Sequence, residues 1–93
     1  MTIQHNEYFD GAVQSLGTST DTGSVTLGVM APGTYHFSTG APERMTVVFG
    51  GFTITLDGGQ PTRYDAGSAA EVPGDSGFDV TVEAPTGYLC EYL

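Results

Sequence analysis

Residues 32–51 read PGTYHFSTGAPERMTVVFGG, and this stretch decides the fold. Tyr35 and Phe37 alternate with small or polar side chains, which is the period-two pattern of a half-buried strand. A break at residues 40–42 is followed by a second alternating run over residues 44–49. The stretch therefore predicts two strands joined as a hairpin, with Glu43 at its mouth.

The same alternation recurs on both sides of this hairpin. In the second run, Met45, Val47 and Phe49 are predicted to share one face. Further strands are predicted over residues 11–16, 25–30, 52–56, 62–65, 78–83 and 88–93, while residues 67–72 lead into a turn cluster at residues 73–77. No window shows the 3.6-residue period of a helix. Many short strands separated by glycine and proline turns predict an all-β domain, either a closed barrel or a jelly roll.

The remaining segments have weaker patterns. Residues 1–6 show no periodicity, so we expect a loosely ordered terminus. Residues 17–23, GTSTDTG, are rich in turn formers and are predicted to be a polar connection. In the strand that follows, Val25, Leu27 and Val29 alternate with Thr26, Gly28 and Met30, which predicts one buried and one exposed face.

Length and charge limit the function classes. A chain of 93 residues with 39% hydrophobic content is expected to be a single domain over residues 1–93, small enough to benefit from pairing with a second copy. The formal net charge of −9 argues against nucleic acids and anionic membranes as partners. A single cysteine, Cys90, with no apolar leader or spanning run, predicts a soluble cytoplasmic protein. The absence of lysine fits either adaptation to high salt or compositional drift.

The glycine-bounded segments resemble the two motifs of a cupin, a small jelly-roll barrel. Glu43 is followed by six residues and Gly50, and Gly67 by five residues and Pro73, as in the cupin pattern. The histidine pair of the first motif is reduced to His36, and the third metal-binding histidine is replaced by Phe78. The resemblance therefore implies a cupin fold without the usual metal ligands.

A closer resemblance extends over nearly the whole chain. The matching positions are NEYF at residues 6–9, GVM at 28–30, Pro32-Gly33 with Tyr35 and Phe37, Pro42-Glu43 with residues 45–47, Gly50, Tyr64 with residues 66–67, residues 72–74 with Ser76 and Phe78, and residues 88–90 with 92–93. These spacings resemble the pyrimidine/purine nucleoside phosphorylases, a family of very small single-domain cupins. The resemblance implies a homodimer that cleaves many nucleosides with inorganic phosphate into a free base and a pentose 1-phosphate, with no other cofactor.

The residues suited to this chemistry cluster in the central stretch. Glu43 is the candidate catalytic carboxylate, because negative charge stabilises the sugar cation that develops at the anomeric carbon. Arg44 and the turn at residues 38–40 are candidates for phosphate. The residues expected to bind substrate are Tyr35, Phe37, Thr39, Arg44 and Met45.

Each assignment has a structural alternative. Aromatic side chains that alternate in a small barrel commonly belong to its core, and either Arg44 or Arg63 is as readily a surface ion pair. Cys90 is expected to be a small buried hydrophobic residue rather than a nucleophile. Two other functions are compatible with the sequence: a binding cupin that holds a nucleoside or sugar without turnover, and a metal-dependent oxygenase or isomerase. The second needs about three metal ligands, and His36, Glu43 and Asp75 or Asp79 have no recognised spacing, so no metal site is predicted.

Overall fold

The computed structural model describes residues 2–93, which form ten antiparallel strands and no helix. The strands are β1 (Gln4–Tyr8), β2 (Val13–Thr20), β3 (Gly23–Met30), β4 (Gly33–Thr39), β5 (Glu43–Phe49), β6 (Gly51–Leu56), β7 (Thr62–Asp65), β8 (Ala69–Val72), β9 (Ser76–Val82) and β10 (Thr86–Tyr92). The all-β prediction is confirmed. Residues 2–93 contain no helix long and apolar enough to cross a membrane.

The strands form two sheets that pack face to face as a jelly roll. Sheet A has the order β1-β2-β3-β10-β5-β8, and sheet B has the order β4-β9-β6-β7. Within the described chain no ladder joins the two sheets into a closed barrel. The predicted hairpin at residues 32–51 is wrong: β4 pairs with β9, while β5 pairs with β10 and β8. The break at residues 40–42 therefore carries the chain from one sheet to the other.

The core lies between the sheets and follows from the alternation. Met45 and Val47 of β5, Phe52 and Ile54 of β6, and Phe78, Val80 and Val82 of β9 are all buried. Along each of these strands the neighbouring side chains point outward, because successive residues face opposite sides of a sheet.

A bulge between β5 and β10 reverses the predicted orientation of Phe49. Val47 pairs with Tyr88, but the next pair along β10 joins Gly87 to Phe49, so Val48 is an extra residue. An inserted residue shifts the alternation by one position. Val48 is 55% exposed and Phe49 48% exposed, and the Phe49 ring covers the face of Gly87, where a β-carbon would overlap it.

Two segments are more ordered than their composition suggests. Residues 17–20 continue β2 and residues 23–24 begin β3, so the predicted polar connection shrinks to a turn at residues 21–22. The turn is braced by the Thr20 hydroxyl, which donates to the Gly23 carbonyl at 2.9 Å. Residues 4–6, expected to be loose, form part of β1 and pair with β2. Met1 lies outside the described residues.

The outer face of sheet A carries a contiguous apolar surface. In β3 the positions of Val25, Leu27 and Val29 face outward, and those of Thr26, Gly28 and Met30 face inward. Met30 is fully buried, whereas Leu27 is 58% exposed. Cross-strand pairing places Leu27 beside Leu16 of β2 and Leu89 of β10. We call the exposed members of this face the outer apolar patch; they are Leu16, Leu27, Val29, Val48 and Phe49.

Candidate functional site

A cavity of about 600 Å³ opens between the two sheets, within the range of small-molecule sites. Sheet A contributes its floor through the inward residues of β2, β3, β5 and β10. Sheet B contributes residues 36–38 of β4 and Phe78 of β9. The end of β1 and the turn after it contribute Tyr8 and Phe9. The strand-to-strand crossing at residues 40–41 lies at the rim.

The floor is polar because strand pairing brings uncharged hydroxyl and thiol groups beside one carboxylate. Glu43 pairs with Tyr92 and Met45 with Cys90, while Cys90 pairs on its other side with Thr26. Residues directly opposite each other in antiparallel strands point to the same side. We call the polar members of this surface the polar floor; they are Ser15, Thr26, Glu43, Tyr88, Cys90 and Tyr92.

Among the described residues that line the cavity, Glu43 is the only Asp or Glu. Its Oε1 accepts a hydrogen bond from the Cys90 thiol at 3.2 Å. Burial raises the pKa of Glu43 above its ordinary value, and the thiol hydrogen bond partly opposes that shift. The carboxyl is therefore only partly solvated, which strengthens its interaction with any positive charge that forms nearby.

The other ionisable groups of the floor are neutral at physiological pH. Burial, with the Glu43 charge adding to it, raises the pKa of Cys90 to about 12. Burial likewise raises the pKa of Tyr88 to about 12, and it raises that of Tyr92 as well. These groups therefore act as hydrogen-bond donors and acceptors, and the Cys90 thiol is not a nucleophile at neutral pH.

Opposite the floor, four rings form a surface that we call the aromatic wall: Tyr8, Phe9, Phe37 and Phe78. Phe37 stacks on Phe78 with ring centroids 5.7 Å apart and an interplanar angle of 29°. Tyr8 and Phe9 meet Phe37 edge to face at 6.2 and 5.5 Å. Such contacts hold aromatic side chains in defined orientations.

Three of the predicted site residues, Phe37, Glu43 and Met45, line this cavity. Tyr35 and Thr39 do not. Tyr35 is buried, and its hydroxyl donates to the Ala31 carbonyl at 2.6 Å. The Thr39 hydroxyl donates to the Pro73 carbonyl at 2.7 Å and accepts from the Ser76 amide at 3.0 Å, so it fastens the end of β4 to the turn before β9.

Neither arginine lines the cavity. Arg44 Nε donates to Glu71 Oε1 at 2.9 Å, and Arg44 Nη1 lies 3.9 Å from Glu91. Arg63 Nε donates to Asp65 Oδ1 at 3.0 Å. The described lining contains no guanidinium, so the groups there that could hold an anion are hydroxyls, backbone N–H groups and His36.

The sequence reasoning missed most of the polar floor. The alternation of YLCEYL does place Tyr88, Cys90 and Tyr92 on one face, but it does not show which strand lies beside them. That information is in the register of β10 against β5 and β3. The contribution of Tyr8 and Phe9 depends on the turn after β1, in a segment whose sequence shows little periodicity.

Histidine and carboxylate side chains do not converge on a metal-binding group within residues 2–93. His36 Nδ1 lies 2.8 Å from Asp79 Oδ1, a cross-strand pair between β4 and β9. Both side chains are about half exposed, at 52% and 54%.

Comparison with known proteins identifies the family. Residues 3–92 match the family model described as pyrimidine/purine nucleoside phosphorylase. A protein of that name from Vibrio cholerae serotype O1 is 55% identical over 92 residues, which are 98% of this chain and 97% of the relative. Another from Sorangium cellulosum is 52% identical, with 98% and 99% covered.

The chain also resembles solved structures. A Vibrio parahaemolyticus protein of unknown function is 46% identical, with a TM-score of 0.97 and complete coverage of both chains. A cupin superfamily protein from Desulfitobacterium hafniense, at 17% identity, matches with a TM-score of 0.75 over 98% of this chain and 83% of its own, which shows the fold alone. The fold is that of a single-domain cupin, and the chain is an enzyme of the pyrimidine/purine nucleoside phosphorylase family.

Proposed function

We propose that this enzyme cleaves both purine and pyrimidine nucleosides with inorganic phosphate, releasing the free base and a pentose 1-phosphate. The observation that carries the proposal is one half-buried carboxylate, Glu43, set in a cavity of about 600 Å³ opposite aromatic side chains. The names of the relatives at 55% and 52% identity support the same reaction class.

Glu43 acts on the sugar. In phosphorolysis the bond from the anomeric carbon to the base nitrogen breaks, and the base leaves with the electron pair and takes up a proton from dihydrogen phosphate or solvent. A phosphate oxygen forms the new bond to that carbon, and positive charge develops on the sugar in the transition state. A carboxylate in a partly desolvated site stabilises this charge more than it stabilises the neutral nucleoside, which lowers the barrier. The Cys90 thiol at 3.2 Å orients the carboxylate without neutralising it.

Breadth of base specificity follows from the character of the aromatic wall. Phe37 offers a ring and no hydrogen-bonding group, so it accepts the face of any base. Sites that discriminate strongly between bases place hydrogen-bonding groups against their edges. A wall made largely of phenyl rings therefore favours binding of both purines and pyrimidines.

For phosphate, the rim at residues 38–41 is the proposed site. Ser38, Gly40 and Ala41 of this rim line the cavity, and a β-carbon added at Gly40 would meet no atom within 4 Å. Backbone N–H groups in such a turn bind anions. The competing ligand is Arg44, which would have to leave Glu71 and Glu91; exposed ion pairs are weak enough to allow this.

No metal or organic cofactor is part of the proposed reaction, and phosphate is the co-substrate. The cytoplasm is the proposed compartment, since the one cysteine, Cys90, is a free thiol. We also propose that the enzyme is a homodimer joined through the outer apolar patch. Two chains of charge −9 repel each other, and this patch is a surface where they can meet with apolar side chains alone.

The test is release of base from uridine, inosine and adenosine, with and without phosphate and with a chelator present. Glu43→Gln keeps the shape and removes the charge, so turnover should fall by roughly 100-fold or more. Glu83→Gln, at an exposed position outside the cavity, is the matched control and should keep full turnover.

Other results of the base-release assay would identify a different function. Equal release without phosphate would identify a hydrolase, and nucleoside-dependent thermal stabilisation without any release would identify a binding protein. Loss of turnover in chelator would contradict the metal-free reaction. Arg44→Ala should leave the Michaelis constant for phosphate unchanged if the rim holds the anion, and should raise it if Arg44 does.

A further inference from the structure

The turn between β1 and β2 holds a bulky residue in an unfavourable backbone conformation. Phe9 and Asp10 have φ angles of 54° and 56°, in the left-handed region. Aspartate tolerates that region, whereas a phenylalanine there is an outlier. The Gly11 and Ala12 amides donate to the Tyr8 and Phe9 carbonyls at 3.2 and 3.1 Å, which fixes the turn in this shape.

The conformation determines where the Phe9 ring lies. Its centroid is 5.0 Å from that of Tyr35 and 5.5 Å from that of Phe37, so the ring of a sheet A connection reaches across to β4 of sheet B. Phe9 remains 47% exposed, although it lines the cavity. A ring that lines the cavity and is this exposed can be reached by a ligand there.

We propose that Phe9 is a specificity-determining residue whose ring stacks on the nucleobase, so that strain in the turn after β1 positions a base-binding surface at the cavity. The proposal rests on the proposed function, because it concerns the base of the same nucleoside substrates. Phe9 then provides a second ring for the base beside Phe37. Phe9 comes from a connection of sheet A, whereas Phe37 belongs to sheet B.

A purine presents a larger face than a pyrimidine, so it loses more contact when one stacking ring is removed. Phe9→Leu keeps bulk and removes the aromatic face. The Michaelis constant for inosine should rise by roughly tenfold, the loss expected for one base–aromatic stack, and that for uridine by roughly threefold. The Michaelis constant for phosphate should not change, since the ring touches only the base. Phe9→Tyr should restore values near those of the wild type.

Comparing melting temperatures with Michaelis constants tests whether the role of Phe9 is purely structural. Tyr64→Leu removes a ring that meets Phe52 edge to face at 6.2 Å and does not line the cavity. It should lower the melting temperature without changing either nucleoside constant. Phe9→Gly removes the ring and the backbone strain together, so it should weaken inosine binding even where its melting temperature matches the wild type.

A direct binding measurement separates this inference from the proposed reaction. Calorimetric titration of hypoxanthine and uracil, without phosphate, should show weaker hypoxanthine binding to Phe9→Leu than to the wild type. Unchanged base binding and unchanged nucleoside constants in an active Phe9→Leu enzyme would overturn the role of Phe9 alone. If the wild type releases no base from any nucleoside, the proposed function fails, and the titration still decides whether Phe9 binds bases.

Discussion

At the scale of single residues, the surroundings of Glu43 determine both its chemistry and the effect of its burial on the stability of the fold. Its carboxyl lies at the start of β5, an interior strand of sheet A, and faces inward beside Cys90 and Tyr92. Glu43 was predictable from the sequence as the one carboxylate in the central stretch. Its thiol partner was not, because Cys90 is 47 positions away and joins it only through strand register.

The raised pKa of Glu43 gives a pH-dependent stability difference. Below the ordinary carboxyl pKa of 4.5 the group is neutral in both folded and unfolded chains, and burial costs nothing extra. As pH rises, the unfolded chain ionises first, so the folded state loses relative stability until its own raised pKa is passed. The Glu43→Gln variant has no carboxyl at this position, so its folded state does not lose this stability as pH rises. The difference in unfolding free energy, variant minus wild type, should therefore be more positive at pH 7 than at pH 4 in urea titrations.

Glu83→Gln serves again as the control, because it makes the same chemical change at an exposed position outside the cavity. A Glu43→Gln difference that falls between pH 4 and pH 7 would mean that the folded state favours the charged carboxylate, contrary to the effect of burial.

At the scale of elements, the alternation predicted strands well and their partners poorly. The bounds predicted for β7, residues 62–65, are those observed, because turn residues flank a short run. The hairpin of β4 and β5 was wrong, since sequence periodicity gives the faces of a strand but not its neighbour. Phe49 was placed on the wrong face for a related reason: a bulge is a property of two paired strands, and one strand's pattern does not reveal it.

Gly50 is required where the chain crosses from β5 to β6. Its φ is +78°, and an added β-carbon would lie 2.6 Å from Thr86 Oγ1 and 2.7 Å from the Pro85 carbonyl. The Thr86 hydroxyl cannot retreat easily, because it donates to the Gly51 carbonyl at 2.9 Å. We expect Gly50→Ala to reduce the free energy of unfolding by about 3 kcal/mol, combining backbone strain and overlap.

Gly58→Ala separates the two contributions to the Gly50 effect. Gly58 has nearly the same φ, +77°, but open space around its α-carbon. Its substitution should cost only the strain, about 1 kcal/mol, in the same urea titration. Equal losses at the two positions would show that the contact with Thr86 contributes nothing.

At the scale of the whole molecule, charge and apolar surface are distributed unequally. The outer face of sheet B presents polar residues such as Thr34, His36, Asp79 and Thr81, whereas the outer face of sheet A presents the outer apolar patch. Composition predicted a small acidic domain that would benefit from a partner. It could not locate the contact surface, because that depends on which face of β3 is buried and on the bulge that exposes Val48 and Phe49.

If two copies meet through this patch, Leu27 lies near its centre, paired with Leu16 on one side and Leu89 on the other. A two-fold interface contains every substitution twice, so Leu27→Glu would bury two unpaired charges of like sign. We expect the dimer dissociation constant to rise by roughly 100-fold or more in sedimentation experiments.

Thr81→Glu adds the same charge to the exposed outer face of sheet B and should leave the dimer dissociation constant nearly unchanged. Added salt should tighten the wild-type dimer, because it screens the repulsion between two chains of charge −9. A wild-type chain that sediments as a monomer at high concentration, or a Leu27→Glu chain that still dimerises as tightly, would exclude this face as the interface.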